Sequence, residues 1–230
     1  TLTGAALLYG ISDAPTIGAA NAPAQQHVAP RYLQQGPKET GVPNMVTAVL
    51  ASYRGFDTLG ETVVIFTAGV AVLLLLGMGQ SAAHRAPGTN GDEVAKQQIV
   101  KILIPFILLF GLYVQFHGDY GAGGGFQAGV IFATGFVLYH LVFGAEPAQR
   151  VLTPGLLPRL AALGVLLYGG VGVYTLLQGA AFLNYNVLSS DPIQGQHLGI
   201  FLVELGVGLT VFSVVMTIFY AFTGRSKQHD

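Results

Sequence analysis

Glu204 stands alone as an acid in the apolar stretch Leu202-Val203-Glu204-Leu205-Gly206-Val207-Gly208. A lone carboxylate in hydrocarbon must be protonated, paired or hydrated. Such an acid can take up and release a proton or meet a cation; alternatively it bonds a neighbouring helix and only fixes packing. His197 lies seven residues earlier, on the same helical face and roughly 10 Å along the axis. It could relay protons or sit as an ordinary interfacial histidine. Arg54, Asp57 and Glu61 follow at helical spacing and could form an acid–base ladder on one face. The string Thr58-Leu59-Gly60-Glu61 also has the form of a capping box, which gives Glu61 a structural reading, and Arg54 could simply neutralise Asp57. His117 and Asp119 flank a glycine-rich turn, Gly118 to Gly129, where they could form an ion entrance or be solvated turn residues. His140 is a titratable group near the other end of the segment that follows, a position suited to a second half-path.

Other chemistries find no support. With no cysteine, the chain offers no disulfide, thiolate metal site or iron–sulfur ligation. None of its six histidines is paired at i, i+4 or set among carboxylates, so no metal site is expected. The glycine run lacks the Lys-Ser/Thr of a phosphate loop and follows no strand. A net charge of −1 excludes a basic field for nucleic acid. Neither a catalytic nucleophile–base pair nor a cofactor motif is present, so a catalytic residue and a cofactor are not expected.

The elements that must position these groups are membrane helices. Apolar residues make up 52% and charged residues 9%, against roughly 25% charged in soluble domains. A spanning helix needs about 20 mainly apolar residues. Five segments qualify: Thr62–Ala83, Ile102–Phe116, Tyr120–Tyr139, Leu160 to about Gln178, and Leu198–Gly224. Leu2–Ile11 is apolar but too short, and the chain begins at threonine. Either a first transmembrane helix starts upstream, or this is the remnant of a signal peptide. The expected fold is an all-α, polytopic bundle of about six transmembrane helices, the first one partial.

Loop charge orients the bundle. Arg85, Lys96, Lys101, Arg150, Arg159, Arg225 and Lys227 fall on one side, which is then cytoplasmic together with both termini. The glycine loop and the stretch from Asn184 to Gln196 face outward; only Arg31, Lys38 and Arg54 weaken the contrast. In the long outer segment, Ala22–Gly41 is rich in Pro, Gln and Ala and reads as an irregular loop. Met45, Val46, Val49, Leu50, Tyr53 and Phe56 recur at helical spacing and predict a short amphipathic helix ended by Gly55. His84–Gln97 reads as a polar linker centred on Pro87-Gly88-Thr89-Asn90-Gly91. Gly164, Tyr168, Gly172 and Leu176 form a stripe suited to close helix packing.

Gly125-Phe126-Gln127-Ala128-Gly129, preceded by His117-Gly118, resembles the signature loop of the B subunit of Mrp-type multisubunit Na⁺/H⁺ antiporters. Phe182-Leu183-Asn184 and Glu204-Leu205-Gly206-Val207 fit the same family, and the resemblance covers about Ile99–Thr223. One departure is Ala122, where the family usually has proline. Gly41-Val42-Pro43-Asn44-Met45-Val46 and Arg54-Gly55-Phe56-Asp57-Thr58-Leu59-Gly60-Glu61 resemble the E-type subunit of membrane-bound hydrogenases, also found at the end of the large A-type antiporter protein. The resemblance implies a fusion: residues 1–83 a hydrogenase-E-like module, 84–98 a cytoplasmic linker, 99–230 an antiporter-B-like domain with four transmembrane helices. It further implies a non-catalytic subunit of a bacterial or archaeal cell-membrane complex that exchanges Na⁺ and H⁺. Its partners would be A-, C-, D-, E-, F- and G-type subunits and the lipid bilayer. A subunit of a redox-driven complex such as a membrane-bound hydrogenase, or a pure scaffold, are the alternatives.

Overall fold

The computed structural model describes residues 2–12, 14–77 and 91–224. Among them no strand occurs, and five helices are long and apolar enough to cross a membrane. These are α5 (Gly55–Leu76), α6 (Gly91–His117), α7 (Gly125–Phe143), α9 (Leu157–Leu177) and α10 (Pro192–Thr223). The remaining helices are α1 (Leu2–Ser12), α2 (Pro23–Gln26), α3 (Val28–Thr40), α4 (Met45–Thr47) and α8 (Ala145–Val151), with a π-helical segment over Ala48–Tyr53 and a 3₁₀ turn over Tyr185–Leu188. The chain is a multi-pass membrane protein built as an all-α bundle. The shorter apolar helix α1 buries no residue.

The bundle is organised around α10, which packs against α9, α7 and α5, while α6 packs mainly on α7. At 32 residues, α10 is about 48 Å long, well beyond the ~30 Å hydrocarbon layer. Small residues let its neighbours approach. A Cβ on Gly164 would strike the Thr210 hydroxyl and the Gly206 carbonyl, and one on Gly129 would lie 2.6 Å from the Gly208 carbonyl. Gly172 likewise leaves room for the Phe182 ring. Three members of the expected stripe, Gly164, Tyr168 and Gly172, are buried, but Leu176 is 51% exposed.

Several expected boundaries move. Ala22–Gly41 is largely helical, not an irregular loop: α3 runs to Thr40 and stops at Gly41, whose φ of 72° is the left-handed helix-ending conformation. Pro30 falls in the first turn, where its missing N–H costs nothing. Arg31 donates to Glu39 along the same helix at 3.1 Å, and the Tyr53 hydroxyl donates to Glu39 from the π-helical segment at 2.5 Å.

Gly55 does not end the amphipathic helix; it opens α5, seven residues ahead of the expected span start. The break falls at Arg54 (φ −121°, ψ 30°), whose N–H reaches back to Val49 in a π-type bond of 2.8 Å. Thr58 is therefore interior to α5 and forms no capping box. Its hydroxyl donates to the Leu50 carbonyl at 2.8 Å, while Tyr185 and Tyr168 donate to the carbonyls of Ala51 (2.8 Å) and Gly55 (2.7 Å). Side chains thus satisfy the Leu50 and Ala51 carbonyls that the break exposes, and Tyr168 adds a bond at the first carbonyl of α5. At the other end α5 stops at Leu76. α6 begins at Gly91, so the stretch read as the end of a linker forms its first turns, where Glu93, Ala95 and Lys96 are good helix formers. The expected linker centre Pro87–Asn90, with Arg85, and the basic residues Arg225 and Lys227 lie outside the described residues.

Candidate functional site

Glu204 faces protein. α10 carries it to the N-terminus of α7, where its carboxylate accepts a hydrogen bond from the Gly125 N–H. The first amides of a helix have no partner within the helix and carry partial positive charge, so they suit a carboxylate. Glycine is what makes the contact possible. Gly124 has φ 116°, a conformation that side-chain-bearing residues avoid. A Cβ there would stand 2.8 Å from a Glu204 oxygen, and one on Gly125 would run into the Glu204 carbonyl.

Glu204 also lines a groove of about 560 Å³, shared by α5, the π-helical segment, α7 and α10. Glu61 lines the same groove from α5, and Thr47, Thr58 and Gln127 add further polar side chains. The walls are otherwise apolar, with Leu50, Val64, Phe126 and Val207 among them. Glu61 is exposed on the surface of this chain although its helix is apolar. The arrangement places two acids and several oxygen donors in one open, apolar-walled cleft, which is the means to hold a proton or a cation within a membrane.

The other candidates separate from this groove. His197 pairs with Asp119, Nδ1 to Oδ2 at 2.9 Å, and does not line the groove with Glu204. Asp57 pairs with Arg54 at 2.5 Å in the first turn of α5; because the helix breaks at Arg54, the three residues do not form one continuous helical ladder. His117 stacks on Tyr113 with ring centroids 4.9 Å apart, and glycine at position 121 clears its Nε2. His140 is buried, edge-on to Phe219 at 4.9 Å and beside Tyr220. It lies 15 residues after Gly125, about 22 Å along α7. No group of three or more potential metal ligands occurs among the described residues.

Some site residues carried too weak a signal in the sequence. Thr47, Thr58 and Gln127 are uncharged, and only their helix pairing brings them to the groove. Asn44 is another: its side chain bonds the glycine loop from more than 70 residues away.

Comparison with known proteins places this geometry. Residues 96–217 match the family described as a domain related to the MnhB subunit of Na⁺/H⁺ antiporters, and that match takes in more than half of the chain. The chain belongs to this family. Residues 10–87 match the MbhE family, described as the E-type component of MBH. The MnhB-related chain is 32% identical to a putative antiporter subunit mnhB2 of Staphylococcus aureus (strain Newman), over 58% of this chain and 96% of that protein. It is 28% identical to a probable K⁺/H⁺ antiporter A/B protein of Rhizobium meliloti (strain 1021), over 89% of this chain. It spans only 23% of the length of that relative. Among solved structures, the Mrp complex from Dietzia sp. DQ12-45-1b matches with a TM-score of 0.70 and 25% identity, covering all of this chain and 25% of that one. A chain of the membrane-bound sulfane sulfur reductase, an archaeal respiratory membrane complex, matches with a TM-score of 0.61 and 29% identity, covering 94% of this chain and 93% of that one.

Proposed function

We propose that this MnhB-related chain is a membrane subunit of a multisubunit cation/proton antiporter of the Mrp type, and that Glu204 and Glu61 line an ion path at its boundary with neighbouring subunits. The observation that carries the reading is the shared groove: two acids from α5 and α10 open into one cleft. Acids in membrane-spanning helices are costly and mark ion routes. Glu204 takes its orientation from the Gly125 amide. The Thr47, Thr58 and Gln127 side chains supply neutral oxygens for a partly dehydrated cation or for proton-carrying water. Glu61, exposed on one chain, receives its cover from another antiporter component of A-, C-, D-, E-, F- or G-type. The complex sits in the cell membrane of a bacterium or archaeon, with the Arg150–Arg159 side cytoplasmic. The part is that of a secondary transporter subunit, with no reaction of its own.

Glu204→Gln tests the reading, since it keeps shape and hydrogen bonding and removes the titrating proton. ΔpH-driven antiport in vesicles should fall sharply while complex yield on a native gel stays normal. Normal antiport in an intact complex would leave Glu204 a packing acid and the chain a scaffold. A second reading, an ion-translocating subunit of a redox-driven complex, rests on the near full-length match to the sulfane sulfur reductase chain. Antiport in vesicles without any electron donor favours the first reading; ion movement only with a donor favours the second. For orientation, a cysteine placed at Asn90 should react with reagents from the cytoplasmic side.

A further inference from the structure

Asn44 makes three hydrogen bonds to the glycine loop. Its Nδ2 donates to the Gly118 carbonyl at 2.8 Å and to the Gly121 carbonyl at 2.6 Å. Its backbone N–H donates to the Asp119 carbonyl at 3.0 Å. Its Oδ1 meanwhile caps the next helix by accepting from the Val46 N–H at 3.0 Å. That pattern fixes the amide orientation, because a flipped side chain would set its oxygen against two carbonyls. The buried Thr47 hydroxyl adds a second bond to the Gly118 carbonyl, at 2.7 Å. On its return the loop is tied by Gly124, whose N–H donates to the Val114 carbonyl at 3.1 Å. The next residue is Gly125, whose N–H meets Glu204.

We infer that Asn44 is a positioning residue: it clasps the glycine loop at Gly118 and Gly121 so that the Gly125 amide is held at the Glu204 carboxylate. The inference rests on the reading of Glu204 as an ion-path acid. It gives the hydrogenase-E-like module a defined part in the site, beyond supplying Glu61. A loop of glycines has high conformational freedom when released. Asn44 removes that freedom by bonding the loop from outside α6 and α7.

Asn44→Asp breaks the clasp and sets a carboxylate oxygen against the Gly118 and Gly121 carbonyls. Aspartate caps a helix as well as asparagine does, keeps the backbone bond to Asp119, and loses both donors to the loop. In the assembled complex, amide hydrogen exchange of the peptide spanning residues 114–125 should quicken by about fivefold or more, the equivalent of one net hydrogen bond. The bodies of α7 and α10 should keep their protection; a general loosening would quicken them too and would overturn the inference. Antiport should fall at least tenfold at normal complex yield. Unchanged loop protection would overturn the inference, as would a loosened loop with full antiport. Should Asn44→Asp fail to assemble, Asn44→Ser keeps a capping oxygen, loses both Nδ2 bonds to the loop and brings no charge to it; the same peptide should loosen, and unchanged protection there would also overturn the inference. Glu204→Gln is measured alongside. Loss in Glu204→Gln with none in Asn44→Asp removes the clasp inference alone, whereas full antiport in Glu204→Gln removes the ion-path reading and this inference with it.

Discussion

The Tyr168 hydroxyl donates to the carbonyl oxygen of Gly55 at 2.7 Å, joining the middle of α9 to the first residue of α5. The bond is buried, and it fixes where α5 begins and hence where Glu61 enters the groove. Tyr168→Phe removes that bond, at a cost of about 0.5–1.5 kcal/mol, because the carbonyl keeps its intrahelical partner. For a chain of this size the thermal midpoint should drop by about 2–4 °C per kcal/mol, read on the purified complex. A midpoint equal to wild type would mean that the bond adds nothing net to stability.

Gly124→Ala attacks the site from the loop side. The substitution meets both an unfavourable φ and a Glu204 oxygen 2.8 Å from the new methyl carbon. That backbone conformation (φ 116°, ψ −178°) costs a side-chain-bearing residue about 1–3 kcal/mol, and the clash displaces the carboxylate. Antiport in vesicles should fall at least as far as in Glu204→Gln. Antiport at the wild-type level would show that the carboxylate need not stay at the α7 terminus.

Gly164→Leu should part α9 from α10. Its first side-chain atom already collides with Thr210 and Gly206, and backbone cannot yield there as a flexible side chain can. Overpacking of this kind costs about 1–3 kcal/mol or more. Yield on a native gel should drop steeply. By contrast Gly169→Ala, on a face with nothing within 4 Å, should assemble normally unless a partner protein covers that face.

The α3 contact should respond to pH at both ends. The Tyr53 hydroxyl bond, with help from Arg31, holds the Glu39 carboxyl below its usual value. Burial, then the Glu39 bond, pushes the Tyr53 phenol up to about 12. A lowered carboxyl contributes stability that is present above the ordinary glutamate value of about 4.3 and is lost as pH falls through the lowered one. A raised phenol contributes stability present below its ordinary value near 10 and lost as pH rises through about 12. Spin labels on Gln34→Cys and Tyr120→Cys, in this cysteine-free chain, should give a narrow distance distribution at neutral pH that broadens in acid. Tyr53→Phe removes the contact, so its distribution should be broad already at neutral pH and change little in acid. Acid broadening in Tyr53→Phe equal to that of the wild type would separate Glu39 from the docking of α3.

The spans were legible because they need only apolar runs of sufficient length, and Glu204 was legible because an acid inside such a run is rare. Its partner was not, since a backbone amide at Gly125 carries no side-chain signature. That Glu61 and Glu204 line one groove depends on α5 packing beside α10, which no local pattern encodes. α3 was hidden by Pro30, Gly36 and Pro37, residues that oppose a helix in isolation, while its contact from Tyr53 to Glu39 joins it to a segment no local pattern pairs with it. Thr58 misled for a related reason: its hydroxyl satisfies the Leu50 carbonyl left open by the break at Arg54, a job that looks like capping only when the break is unknown.

Asn44 and the glycine loop belong to parts of the chain that match two different families, residues 10–87 and 96–217. In Staphylococcus aureus the second part corresponds to almost the whole of a separate protein. Two separate chains meeting through the same handful of bonds would have to find each other in the membrane. Joined in one polypeptide, they dock at an effective concentration on the millimolar scale. The ratio of the two parts is then set at one to one by translation itself, so neither half of the site can be produced without the other.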